Sequence, residues 1–92
     1  MALDLKAASP QLAALESLLG GLPDSDTLAR ARSHCERLGR ALASAHSEGA
    51  RFAAFTLGHI VNDPAQGFPD AVRRSYEDLK SVLEGQGLRL HH

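Results

Sequence analysis

From Ser25 to Asn62 the chain runs without a proline, and its apolar residues recur at helical intervals. Leu28, Ala31, Cys35, Leu38, Leu42, Ala45, Gly49 and Phe52 step alternately by three and four, the a/d pattern of a helix packed along a seam in a coiled-coil-like way. A pattern sustained this long points to an all-α fold. Strands have little to build on, since Ile60, Val61, Val72 and Val82 supply the β-branched aliphatics. Taken as unbroken, the run predicts one helix about 57 Å long at about 1.5 Å per residue. Asp24 or Ser25 caps its start, and Asp26 lies near the positive end of its dipole. Asn62-Asp63 ends it, because a residue before Pro64 is pushed away from helical angles. Gly49 is the weak point, since a mid-helix glycine costs about 1 kcal/mol relative to alanine and Ser47 can cap a new helix there.

The flanking segments are shorter. Ser9 suits an N-cap and Pro10 the first helical position. Leu12, Leu15, Leu18 and Leu19 form one apolar stripe, which Gly20-Gly21 closes with a left-handed C-cap. Residues 1–8 either extend this helix backwards or lie on the surface. After the loop from Pro64 to Pro69, Val72, Tyr76, Leu79 and Leu83 step by four, three and four, with Val82 alongside, and Gly85 and Gly87 close the last helix. Leu88 to His92 reads as a frayed end, with His91 and His92 set aside as a tag-like pair. The expected fold over residues 1–92 is a single helical domain, a three-helix antiparallel arrangement around one long central helix. If the helix breaks near Gly49, the expectation becomes a four-helix bundle.

Charge and composition narrow the functional classes. The formal net charge of −1 offers no general affinity for nucleic acid or an acidic membrane. The longest weakly polar run, Phe52 to Val61, falls short of the roughly 20 residues that span a bilayer. Met1 to Lys6 carries Asp4 and lacks the basic start and apolar core of a signal peptide. A lone Cys35 fits a reducing, cytoplasmic setting. Arg30, Arg32, Arg37, Arg40 and Arg51 make the central stretch basic, while residues 1–27 carry Lys6 against Asp4, Glu16, Asp24 and Asp26. Acid–base pairs at i,i+4, among them Arg32–Glu36, Glu36–Arg40, Arg73–Glu77, Arg74–Asp78 and Lys80–Glu84, mark a solvated helix face.

Candidate chemistry is sparse. His59 and Asp63 lie four apart and can present an imidazole and a carboxylate together, but zinc wants at least three protein ligands, so no metal or other cofactor is expected. Cys35 falls in the apolar seam without a histidine–carboxylate pair, which makes it a small hydrophobe rather than a nucleophile. No constellation points to an enzyme. Ala45-His46-Ser47-Glu48-Gly49-Ala50-Arg51 resembles the phosphorylatable histidine segment of histidine-phosphotransfer domains, where the histidine stands on an exposed bundle face. That resemblance implies a signalling domain phosphorylated at His46. It departs from the pattern at Gly49, where a basic residue is expected, and at Glu48, whose charge opposes an incoming phosphoryl group.

The remaining feature is a strip of small residues at four-residue steps, Ala41, Ala45, Gly49 and Ala53, where another backbone can approach. Ala41, Leu42, Ala45, Gly49, Phe52, Phe55 and Ile60 are the expected interface of a homodimer or of a complex with a protein partner. The sequence therefore suggests a protein–protein interaction module, a bacterial-type regulator, adaptor or chaperone-like subunit. The alternatives are the histidine-phosphotransfer domain and a metal- or ligand-binding helical bundle.

Overall fold

A computed structural model describes residues 4–90, in which four α-helices follow one another: α1 (Ser9–Gly20), α2 (Asp26–Ala43), α3 (Ser47–Val61) and α4 (Asp70–Gly85). The expected three-helix arrangement is thus corrected to a four-helix bundle. The run from Ser25 to Asn62 is two helices, α2 and α3, folded against each other. The molecule is 41 Å in its longest dimension, too short for a helix of about 57 Å.

The break falls at Ser44-Ala45-His46, before Gly49, and its backbone explains it. Ala45 takes a left-handed conformation with φ of 55°. The His46 N–H donates to the Ala41 carbonyl at 2.8 Å, and the Ala45 N–H to the Leu42 carbonyl at 3.2 Å. These are the 6→1 and 5→2 hydrogen bonds of a Schellman stop. The Ser44 hydroxyl adds a bond to the Arg40 carbonyl at 2.9 Å. His46, one residue before the expected Ser47, is the N-cap of α3, and its Nδ1 accepts from the Gly49 N–H at 2.8 Å.

The break reverses two mutational signs. In a continuous helix Ala45→Gly would lose, and Gly49→Ala gain, about 1 kcal/mol. Here Ala45→Gly relieves a left-handed alanine and should stabilise by about 1 kcal/mol. A Cβ at Gly49 would stand 2.6 Å from His46 Nδ1, so Gly49→Ala should cost about 1 kcal/mol through the lost cap. Urea melts of the two variants check both signs, and the opposite pair of signs would restore the straight helix.

The other ends follow the sequence more closely. Ser25 caps α2, its hydroxyl oxygen accepting from the Leu28 N–H at 3.0 Å, with Asp26 in the first turn. Ser9, by contrast, is the first residue of α1 and makes no cap hydrogen bond. A 3-10 turn, Leu5–Ala8, precedes it and buries Leu5 and Ala8, so this part of the N-terminal segment belongs to the core. At the end of α1, Gly21 has φ of −88°, and the helix closes through tightened bonds from Gly21 to Leu18 and from Leu22 to Leu19 rather than by a left-handed glycine. Asp63 caps a second 3-10 turn, Pro64–Gln66, and Gln66 accepts from the Thr27 hydroxyl at 2.7 Å, tying that turn to the start of α2.

Leu88 and Leu90 are buried, which corrects the expected frayed end. Gly87, with φ of 96°, turns the chain, and the Leu88 N–H donates to the Leu83 carbonyl at 3.0 Å. His91 and His92 lie outside the described residues. Packing is most extensive between α2 and α3 and between α1 and α4. The core holds Leu15, Leu19, Leu38, Leu42, Leu57, Leu79 and Leu83, and among the described residues no polar or charged residue is fully buried. Beside Leu57 and Val61, the buried face of α3 carries Ala50, Ala53, Ala54 and Gly58, small residues that let neighbouring helices come close.

Candidate functional site

Gly58 makes one close approach possible. The Tyr76 phenol of α4 reaches into α3 and donates a buried 2.7 Å hydrogen bond to the Ala54 carbonyl, one turn before Gly58. A Cβ at Gly58 would collide with the phenol oxygen and lie 2.7 Å from its Cζ. Burial, helped by Glu77 and Glu84, pushes the Tyr76 hydroxyl up to about 12, so it stays protonated and donating.

Beside this contact a cavity of about 430 Å³ opens between the C-terminal half of α3, α4 and the returning tail. Phe55, Gly58, Tyr76 and Leu90 give it an apolar wall, while His59, Asn62, Asp63 and Lys80 bring polar groups to it. Phe55 and His59 meet edge to face with ring centroids 4.5 Å apart, which fixes the imidazole at the rim. Asp63 is occupied: Oδ1 accepts from the Ala65 N–H at 3.0 Å and Oδ2 from the Gln66 side-chain amide at 3.4 Å. Lys80 is half-buried, and among the described residues no carboxylate comes within ion-pair distance of it. A second cavity of about 560 Å³ lies between the α1–α2 and α3–α4 loops. Of its polar side chains, Thr27, Gln66 and Ser25 are engaged in holding those loops.

The expected site residues fall in different places. His59 and Asp63 share the first cavity, yet among the described residues no three His, Cys, Asp or Glu side chains gather to hold a metal ion. His46 is at the α2–α3 junction rather than on a helix face, and its Nδ1 accepts from the Gly49 N–H at 2.8 Å. Of the expected interface, Ala41 and Leu42 are core residues, Ala45 is the left-handed turn, and Gly49 belongs to the His46 cap. The strip of small residues is therefore divided between two helices. Phe55 lines the cavity, Ile60 packs partly on the core, and Phe52 is 67% exposed.

Cys35 is buried, and burial together with Glu16 and Glu36, against the opposing pull of Arg32, pushes its thiol up to about 12. His34 is half-buried with no hydrogen-bond partner for Nδ1 among the described residues. Burial first, then Arg37 and Arg30, lowers its pKa. Of the five expected i,i+4 pairs, Glu36–Arg40 forms, at 3.8 Å, while Arg51 and Arg73 pair at i,i+3 with Glu48 and Asp70.

Sequence reasoning missed Gly58, Tyr76, Lys80 and Leu90 as site residues. By local spacing Tyr76 and Leu90 belong to core and tail, and Lys80 pairs with Glu84. Only the approach of α4 and the tail to α3 brings them together, and no local spacing encodes that. In comparisons with known proteins, no family model, no curated protein and no solved structure matches this chain.

Proposed function

We propose that the protein is a small-molecule-binding helical bundle, with the α3–α4 cavity as its site and binding rather than catalysis as its work. The observation that carries this reading is a convergence. An aromatic and aliphatic wall meets three polar side chains, His59, Asn62 and Lys80, in one cavity. Among the described residues, none of the three is used in a side-chain hydrogen bond or ion pair of the fold. The cavity is an open cleft in which a few placed polar groups meet an apolar lining, the usual construction of small-molecule sites. No described helix is long and apolar enough to cross a membrane, and a reducing cytoplasm suits a protein whose one cysteine is buried and protonated. The test is a titration of the ¹⁵N-labelled protein with 3-phenylpropionate, 3-phenylpropanol and 3-phenylpropylamine. Saturable shifts confined to Phe55, Gly58, Asn62 and Leu90 are expected. Shifts at the loop cavity instead, or none, would end the reading.

A second reading, association with another copy or a protein partner, is favoured by Phe52, whose ring stands 67% exposed on α3. Light scattering decides the homodimer form. Mass should rise with concentration and revert in Phe52→Ser, whereas a monomer at every concentration removes it.

A further inference from the structure

We infer that the α3–α4 cavity selects a small carboxylate on an apolar, preferably aromatic, body, held by Lys80 against the wall of Phe55, Tyr76 and Leu90. This rests on the reading of that cavity as a ligand site and adds the sign of the ligand's charge.

Four polar side chains line the cavity, and they are not equivalent. Asp63 is the acid among them, and its two oxygens already accept from the Ala65 N–H and the Gln66 amide in the turn that it caps. A cationic ligand would have to compete with those bonds. Lys80 carries the opposite charge, is half-buried, and is paired with no acid among the described residues. An ammonium group with no ion-pair partner beside an apolar wall can take a carboxylate in a charge-assisted hydrogen bond. Asn62 has an amide donor to offer beside it, and His59 an imidazole N–H, its ring held at the rim by Phe55.

The apolar wall sets the rest of the ligand. The Tyr76 hydroxyl is committed to the Ala54 carbonyl at 2.7 Å, so the ring presents its face rather than a polar tip. Gly58 offers no side chain, and Phe55 and Leu90 complete the surface. A short aromatic or branched chain ending in a carboxylate satisfies both halves. A dianion such as inorganic phosphate would leave the wall uncovered and would meet the Asp63 charge more strongly.

The three isosteric probes named above separate this inference from the site on which it rests. The expected order of affinity is 3-phenylpropionate, then 3-phenylpropanol, then 3-phenylpropylamine. Lys80→Met keeps the aliphatic stem and should weaken 3-phenylpropionate by about tenfold or more, the size of one charge-assisted hydrogen bond. The same variant should leave 3-phenylpropanol unchanged, and Lys80→Arg should restore most of the carboxylate affinity. Equal binding of all three probes, or indifference to Lys80→Met, overturns the charge assignment while the cavity stands. Tightest binding of the amine reverses it in favour of Asp63. Silence from all three probes removes the inference together with the site.

Discussion

Replacing Gly58 with alanine should destabilise the protein by about 2 kcal/mol, although alanine is the better helix former. Propensity alone favours the change by about 1 kcal/mol. Against it stands the Tyr76 ring, whose Cζ would lie 2.7 Å from the new Cβ. That ring is a rigid, buried group held at its tip by the Ala54 carbonyl, so it cannot swing aside as a long aliphatic chain would. Overpacking of this kind costs about 1–3 kcal/mol, and loss of the buried hydrogen bond adds about 1. For a domain of this size the net change lowers the melting temperature by about 10 °C. A double-mutant cycle identifies the cause. In a Tyr76→Phe background the nearest clashing atom is gone, so Gly58→Ala should cost measurably less there, with a coupling of at least about 0.5 kcal/mol. Additive effects would mean that the phenol oxygen and Gly58 do not meet.

Stability should also fall steeply in alkali, starting near pH 9. The Cys35 thiol, pushed from an ordinary 9 up to about 12, and the Tyr76 hydroxyl, pushed from 10 up to about 12, both hold their protons in the folded protein. In the unfolded chain they release them at ordinary pH values. The folded state therefore binds more protons in this range, and the stability due to each group is fully present below its unfolded pKa and is lost as pH rises toward about 12. Each group contributes a slope of about 1.4 kcal/mol per pH unit. Between pH 9 and 10 the fall belongs to Cys35, and above pH 10 Tyr76 joins it. Chemical denaturation at intervals of half a pH unit, comparing wild type with Cys35→Ala, isolates the first part: the variant should stay flat to pH 10. Parallel curves would show that Cys35 is not the group responsible.

The two helix stops explain what the sequence disclosed and what it hid. The end of α4 and the end of α2 use the same backbone device. At the first, Gly87 occupies the left-handed position, with the Leu88 N–H on the Leu83 carbonyl; at the second, Ala45 occupies it, with the His46 N–H on the Ala41 carbonyl. Glycine announces such a stop and alanine, the best helix former, conceals it. The heptad-like seam concealed it further, since Ala45, Gly49 and Phe52 carry the spacing of Leu28 to Leu42 across the turn, although the buried face of α3 lies one residue on, at Ala50, Ala53 and Leu57, and leaves Phe52 exposed. His46 is also an uncommon cap, so the restart of α3 was legible only from Ser47 and Gly49 nearby. The α4 stripe, Leu12, Leu15 and Leu19 of α1 (Leu18, expected beside them, is exposed), the Ser25 cap and the stop before Pro64 were written locally. The site was not. Phe55 and His59 share α3, but Tyr76, Lys80 and Leu90 reach them through packing, and the one mark of that packing in the sequence is an unremarkable glycine in the last turn of a helix.

The alanine at the α2–α3 corner also bears on how the two helices come apart. A left-handed alanine costs about 1–2 kcal/mol, a cost that the contact of α3 with α2 offsets. Once the helices separate, only the local bonds of the stop hold Ala45 there, those from the His46 and Ala45 N–H groups to the Ala41 and Leu42 carbonyls and from the Ser44 hydroxyl to Arg40. The corner is therefore held both by its local hydrogen bonds and by the tertiary contact, and separation of the helices weakens it. Loss of the α2–α3 contact and loss of the bend thus favour each other, which couples α2, the corner and α3 in local opening.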